Sequence, residues 1–176
     1  MVRLQGCHPS IEGLLLRFGS LRRAARLAAP LLVAAFLCVL HAQSADAMRR
    51  ETLTLVTKAG PVVIDIEATE TLDEMQRGLM FRTHLAEKAG MLFTYDQPRE
   101  VGMWMENTHI PLDMVFIRAD GVVHRIEAWT EPFSRKTISS RGDVLACLEL
   151  AGGAAERFGL KPGDRVEHPA FKSGKK

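Results

Sequence analysis

The sequence lacks several features that would assign an activity directly. It has three cysteines in 176 residues, and two of them, Cys7 and Cys38, precede residue 48. A domain that keeps Cys147 as its single cysteine has no internal disulfide, so its hydrophobic core must hold it together. Long apolar runs are missing too. The run from Leu27 to Leu40 is shorter than the roughly 20 residues that a membrane-spanning helix needs.

Well-known catalytic motifs are also absent. The sequence has no Gly-x-Ser-x-Gly elbow, no His-Glu-x-x-His pair and no phosphate-binding loop. No two histidines stand at metal-ligand spacing. Cys147 lies in an alternating apolar segment, which favours a buried, unreactive thiol over a nucleophile. We therefore predict no catalytic residue, no metal ligand and no cofactor. The sequence pattern favours a protein that is not an enzyme.

Residues 1–47 have the anatomy of a secretory signal peptide. Four arginines (Arg17, Arg22, Arg23 and Arg26) precede the apolar run, and Ala45-Asp46-Ala47 supplies the small-x-small pattern that signal peptidase reads. This pattern predicts export, most simply to the periplasm. The alternative is an uncleaved N-terminal anchor, through which alone the protein would contact a membrane.

The charge balance depends on whether the leader is counted. Five of the 23 Lys and Arg and two of the 21 Asp and Glu precede residue 48, which leaves 18 basic and 19 acidic residues. The remaining chain therefore carries a net charge near −1 instead of +2. A domain without a basic excess gives no support to a nucleic-acid partner.

Residues 48–176 predict one β-rich domain with its core at 51–168. The alternation in Thr52–Thr57 and Val62–Glu67, separated by turn residues, predicts a hairpin. Thr71 and Glu74 match a capping box at the start of a helix that ends before Leu85. Further strands are predicted at Met91–Tyr95, Val101–Glu106, Asp113–Ile117, Val122–Glu127, Asp143–Leu150 and Arg165–His168, and a second short helix at Gly152–Gly159.

These elements favour a mostly β (α+β) fold. Ala119-Asp120-Gly121 predicts a tight hairpin between two of the strands. Many short strands with one or two short helices are typical of a single antiparallel sheet that curls into a sandwich or a partly closed barrel.

Several long motifs resemble the family called domain of unknown function 192. They are Arg77-Gly78-Leu79-Met80-Phe81-Arg82, Gly90-Met91-Leu92-Phe93, the segment Met103 to Ile117, Leu148-Glu149-Leu150-Ala151-Gly152-Gly153, and Gly159-Leu160-Lys161-Pro162-Gly163-Asp164. Their order and spacing follow the family from about Glu51 to His168. The resemblance implies a β-rich, often exported single domain and no established activity.

The segment Met103 to Ile117 places polar residues between two apolar, strand-like runs. Pro111 stiffens the connection, and Asn107, Thr108 and Asp113 can hydrogen-bond the backbone or a ligand. Two interpretations stay open: a self-satisfied corner between strands, or a ligand site.

Four further residues complete the predicted ligand site. Arg77 and Arg82 suit an anion such as a carboxylate or phosphate, although Asp113 or Glu149 could instead be their internal partners. Trp104 either lines a cleft or packs in the core. The predicted ligand-binding residues are thus Arg77, Arg82, Trp104, Asn107, Thr108, Asp113 and Glu149.

We expect an exported, non-catalytic module of the cell envelope that binds an unidentified small molecule or an envelope protein. The alternative is a small hydrolase that uses Asp113 with His109 or Glu149. A third hypothesis is cuprous copper held by Met103 and Met105, which share one face if Val101–Glu106 is a strand.

Overall fold

The computed structural model describes residues 48–171. The predicted signal segment at 1–47 lies outside the described residues. Within the part of the chain that is described, no helix has the length and apolar character required to cross a membrane.

The described chain forms nine strands and two short helices. The strands are β1 (Arg49–Thr57), β2 (Gly60–Ala68), β3 (Ala89–Arg99), β4 (Gly102–Met103), β5 (Leu112–Ile117), β6 (Val123–Glu127), β7 (Ile138–Ser139), β8 (Val144–Ala151) and β9 (Arg165–Glu167). The helices are α1 (Leu72–Arg77) and α2 (Ala154–Arg157).

Seven of the strands form one sheet in the order β6-β5-β8-β3-β2-β1-β9, and β4 pairs with β7. All pairs in the large sheet are antiparallel except β2 with β3. The two ends of the sheet meet where the Val123 N–H donates to the Asp164 carbonyl and the Val166 N–H donates to the Gly121 carbonyl, each at 2.8 Å. The sheet is therefore a nearly closed barrel, and the mostly β prediction with short helices is confirmed.

Local sequence signals placed most elements correctly. The first hairpin pairs Thr57 with Gly60 across its turn. Thr71 is the N-cap of α1, where its hydroxyl accepts from the Glu74 N–H and the Glu74 carboxyl accepts from the Thr71 N–H. The reciprocal bonds satisfy two of the donors that a helix start leaves open.

The predicted strand Val101–Glu106 is wrong beyond its first residues. The strand β4 ends at Met103, because the Met105 N–H donates to the Ser134 carbonyl at 2.9 Å and the Met105 carbonyl accepts from Thr108 in a turn. The strand β7, which pairs with β4, is too short to show an alternating pattern. The sequence therefore did not predict β7. Met103 and Met105 consequently do not share one strand face.

The large sheet is covered on both faces. One cluster of side chains fills the barrel interior, including Leu53, Ile64, Val115 and Leu148. A second cluster lies on the other face of β3, β5 and β8 and includes Met91, Phe93, Met105, Met114, Phe116 and Cys147. Every residue of β5 is buried, which is typical of a strand packed on both sides.

Candidate functional site

Asp113 is fully buried in β5 and bonds three backbone groups. Its Oδ1 accepts from the N–H groups of Trp129 and Gly153, both at 2.9 Å. Its Oδ2 accepts from the Ala155 N–H at 2.9 Å. The helix α2 has Gly153 as its N-cap, which offers no side-chain cap of its own. Asp113 therefore caps α2 from another strand and joins two loops to β5.

Thr130 completes this corner beside Asp113. The Thr130 N–H and hydroxyl both donate to the Leu112 carbonyl at 2.9 Å, and the Leu112 N–H donates back to the hydroxyl oxygen at 3.2 Å. Thr130 Oγ1 also lies 3.1 Å from the sulfur of Met105. The buried polar groups here are satisfied by one another, as the first interpretation of the segment requires.

Exposed Asn107 and buried Thr108 belong to a turn next to the corner. Asn107 has a left-handed backbone with φ of 54°, a conformation that Asn tolerates better than most residues. Its carbonyl accepts from the Phe81 N–H at 2.8 Å, and the Thr108 carbonyl accepts from the Phe133 N–H at 3.2 Å. The turn therefore positions two segments that are distant in sequence.

Those segments present an aromatic patch, defined as Phe81, His109 and Phe133. The ring of His109 lies 4.9 Å from that of Phe133 and 6.4 Å from that of Phe81, between centroids. Phe81 and Phe133 are 62% and 58% exposed and have φ of 65° and 61°. Bulky residues rarely adopt this backbone, and such strain clusters at ligand sites.

A cleft of about 900 Å³ lies between α1 and the second half of β3. Its apolar wall consists of Leu72, Met75, Phe93, Met103 and Trp104. Its polar residues are Thr69, Glu70, Thr71, Gln76, Thr94, Tyr95, Asp96, Gln97 and Arg99. Trp104 is 51% exposed and Leu72 is 75% exposed. A cleft of this volume lies within the size range of ligand sites, and its lining combines apolar side chains with polar and charged ones.

Tyr95 stands inside this cleft with its hydroxyl 3.5 Å from the sulfur of Met103. The guanidinium of Arg99 lies 5.0 Å above the Tyr95 ring. Burial raises the pKa of Tyr95, and the nearby Cys147 adds to the rise. The tyrosine is therefore a neutral group that offers a polar hydroxyl among apolar side chains.

Glu149 is buried on the outer face of β8. Burial raises the pKa of the Glu149 carboxyl to about 8. Burial also raises the pKa of the Cys147 thiol, and Glu149 is the second cause. A Cβ atom at Gly78 would lie 3.1 Å from the Phe93 ring and 3.9 Å from Oε2 of Glu149. The absence of a side chain at Gly78 therefore leaves space for the Phe93 ring and for the Glu149 carboxyl. That carboxyl keeps its proton at neutral pH.

The β register separates Glu149 from Asp113. Asp113 is opposite Leu150, whereas Glu149 is opposite Met114 and Met91. Neighbouring residues of a strand point to opposite faces, so one carboxyl lies on the barrel side and the other on the outer side. The two acids do not face a common substrate.

Neither of the two predicted arginines lines the cleft beside Trp104. Arg82 forms a two-point pair with Glu67, with one N–O distance of 3.0 Å, so its internal partner is neither Asp113 nor Glu149. It borders a second cleft, of about 690 Å³, together with His84. Arg77 is the exposed last residue of α1, and its side chain also has an interaction partner.

The proposed copper ligands have different surroundings. Met105 is fully buried beside the Thr130 hydroxyl, while Met103 borders the cleft. Among residues 48–171, no three His, Cys, Asp or Glu side chains are grouped closely enough to hold a metal ion.

Of the seven predicted ligand residues, the structure brings Asn107 and Thr108 together and places Trp104 in the cleft wall. Sequence reasoning missed Phe81 and Phe133 as exposed groups. Aromatic residues beside apolar runs predict a core position, and a left-handed backbone at phenylalanine has no sequence signal. Leu72 is 75% exposed, although its spacing to Met75 and Leu79 is typical of a buried helical stripe.

The fold and the site together define the class of this protein, which is a small barrel-like domain with a cleft on one side. The chain belongs to the domain of unknown function 192 family, described as Uncharacterized ACR, whose model matches residues 54–168. This match confirms the resemblance seen in the motifs.

Two solved structures share the fold. One is a proposed transcription regulator from Sinorhizobium meliloti 1021, with 36% identity over 73% of this chain and 100% of that chain, and a TM-score of 0.70. The other is a protein of unknown function from Novosphingobium aromaticivorans DSM 12444, with 37% identity over 72% of this chain and 90% of that chain, and a TM-score of 0.68. No curated protein matches the chain.

We predict that Asp113→Asn lowers the free energy of unfolding by about 2–3 kcal/mol, because an amide nitrogen would face a buried N–H donor and leave it unpaired. Urea unfolding measures the loss. The control is Asp164→Asn, since Asp164 accepts from the Lys161 N–H in an exposed turn. Equal stability losses in the two variants would contradict the structural role of Asp113.

A second prediction concerns pH. The folded Glu149 carboxyl keeps its proton up to a pKa of about 8, while the unfolded chain releases it near 4.5. The contribution of Glu149 to the free energy of unfolding is therefore fully present below pH 4.5. It is lost as the pH rises through 8. The decline is on the order of 5 kcal/mol.

The variant Glu149→Gln cannot ionise, so we expect its unfolding free energy to lack this decline and to exceed that of the wild type at pH 8. Guanidinium midpoints between pH 4 and 9 provide the measurement. Glu131→Gln, at an exposed position, should reproduce the wild-type profile. A wild-type profile that is flat from pH 5 to 8 would show that Glu149 is not held neutral.

Proposed function

We propose that this protein is an exported, non-catalytic binding module of the cell envelope whose ligand occupies the cleft beside Trp104. The observation that carries the proposal is the cleft of about 900 Å³ in which Trp104 and Leu72 stay largely exposed. Exposing a large apolar side chain is unfavourable in water, since each Å² left uncovered forgoes about 25 cal/mol. A ligand that covers both side chains recovers this energy.

The corner around Asp113 supports binding in the cleft instead of catalysis at the loop. Both oxygens of Asp113 accept backbone N–H groups, so neither is positioned to take a proton from a substrate. The hydrolase hypothesis retains one favourable feature, the raised pKa of Glu149, which suits a general acid. Its proposed partner Asp113 lies on the other face of the sheet.

The envelope location is proposed from the leader and from the domain itself. The Arg17 to Ala47 segment carries the three parts of a signal peptide. The single cysteine of the described chain, Cys147, is buried and free, so the fold needs no disulfide chemistry after export.

Nucleic-acid binding is the competing partner class, since one similar structure is a proposed transcription regulator. The charge of residues 48–176 disfavours it, because 18 basic and 19 acidic residues provide no cationic excess. Phosphate contacts from Lys and Arg supply most of the non-specific affinity for nucleic acids.

For the cleft, we predict that the uncharged, apolar fluorescent probe Nile red binds the folded domain and that Trp104→Ala weakens its binding about tenfold through loss of ring contact. Fluorescence titration measures the dissociation constant. Trp129→Ala is the matched control, because Trp129 is similarly exposed, at 58%, but does not border the cleft. Equal effects of the two substitutions would remove the cleft as the site.

For export, we predict that the full chain expressed in a Gram-negative host is recovered in the periplasmic fraction with Met48 as its first residue. N-terminal sequencing and intact mass measure this. Ala47→Arg should block processing, since signal peptidase requires a small residue there, and Ala59→Arg is the control. An intact leader in the cytoplasmic fraction would contradict the proposal.

A further inference from the structure

The strand β3 continues beyond its neighbour β2. The last register pair between the two strands joins Ala68 to Leu92. The strand β3 then runs on to Arg99, with a bulge in its pairing to β8 between Thr94 and Arg99. After Ala68 the chain turns away through Thr69 towards the N-cap of α1 at Thr71. The edge of β3 from Phe93 onward therefore borders the cleft without a neighbouring strand on that side among residues 48–171.

The backbone direction at this edge follows from one hydrogen bond. The Thr69 N–H donates to the Leu92 carbonyl at 3.1 Å, so the main-chain groups of Leu92 point away from β8. Alternate residues of a strand direct their N–H and C=O to the same side. The N–H and C=O of Thr94, which is opposite Ala146 in β8, therefore point towards the cleft, where they can pair with another strand.

The side chains around this edge match an extended segment. Leu72 and Trp104 are both exposed at the cleft, and Met75 and Phe93 line it between them. An added strand directs alternate side chains to opposite sides, so its apolar residues at every second position would contact these groups.

The cleft also has a charge preference. Its lining includes the carboxyl groups of Glu70 and Asp96 and a single cation, Arg99. That cation lies over the Tyr95 ring, and Glu70 shares an exposed ion pair with Arg49 at 3.1 Å, a contact that contributes little. The acidic excess favours a basic residue in the ligand.

We propose, building on the proposed function, that the ligand is an extended peptide segment that adds a strand to the free edge of β3. The peptide carries apolar residues at alternate positions and at least one Lys or Arg. Its main chain bonds Thr94, and its apolar side chains cover Leu72 and Trp104. Recognition through the main chain gives affinity for many sequences, and the side-chain contacts select among them.

The test begins with a positional-scanning library of acetylated octapeptide amides, bound to the domain of residues 48–176 in its folded, full-length mature form. We expect enrichment of alternating apolar residues with Lys or Arg. For a selected peptide, Trp104→Ala should weaken binding at least tenfold and Asp96→Lys about fivefold. Trp129→Ala and Glu131→Lys, at exposed positions outside the cleft, should leave binding unchanged.

Hydrogen exchange then tests the strand pairing itself. The Thr94 amide should exchange at least tenfold more slowly in the complex. N-methylation of the peptide at alternate positions should abolish binding in one set and leave it intact in the other. A peptide that binds without slowing Thr94 exchange would overturn the strand addition.

The outcomes also separate this inference from the proposed function. If the library yields no binder while Nile red binds in a Trp104-dependent way, the peptide inference fails and a small-molecule ligand is indicated. If neither peptide nor probe binds at the cleft, both proposals fail. Binding of the peptide library that is insensitive to Trp104→Ala places recognition elsewhere and overturns the inference.

Discussion

The carboxyl group of Asp113 is the interaction that joins β5 to the loop at Trp129 and to the start of α2. It accepts from three backbone N–H groups that belong to two separate segments. Without it, the loop at Trp129 and the start of α2 at Gly153 would each leave a buried donor unpaired, at a cost of about 1–3 kcal/mol apiece. The segment Met103 to Ile117 therefore serves first as a structural corner between β5, the loop at Trp129 and α2.

The corner also explains where apolar surface stays uncovered. Met105 leaves the strand to bond Ser134, so β4 ends before Trp104, whose side chain lines the cleft and stays 51% exposed. The adjoining turn at Asn107 holds Phe81 and Phe133 by their backbones, so their rings remain at the surface despite a strained conformation. Because the backbones of Phe81 and Phe133 are held in place, their exposed rings lose little conformational entropy when a partner binds. This is a physical reason to expect recognition at these two rings.

Much of the fold was predictable from local patterns. Alternation located β1, β2, β5, β6, β8 and β9, because a two-residue period marks a strand with one face in the core. The capping box at Thr71 located α1, because its hydrogen bonds form within a few residues. The strand predicted at Val101–Glu106 was wrong past Met103, since a tertiary bond to Ser134 outweighed the strand propensity of the segment. The site was less predictable: Trp104 was identified, but Phe81, Phe133 and the β3 edge depend on which segments meet in space.

The sequence by itself determined the β-rich class, the family membership and the polar composition of the Asn107 to Asp113 segment, because periodicity and motif order are properties of neighbouring residues. Only the tertiary structure decided what those polar residues do. The strand register places Asp113 and Glu149 on opposite faces of one sheet, and backbone donors from distant loops occupy Asp113 completely. A carboxyl group in the sequence is equally suited to catalysis, binding or capping, and the choice is made by the groups that folding brings within hydrogen-bond distance.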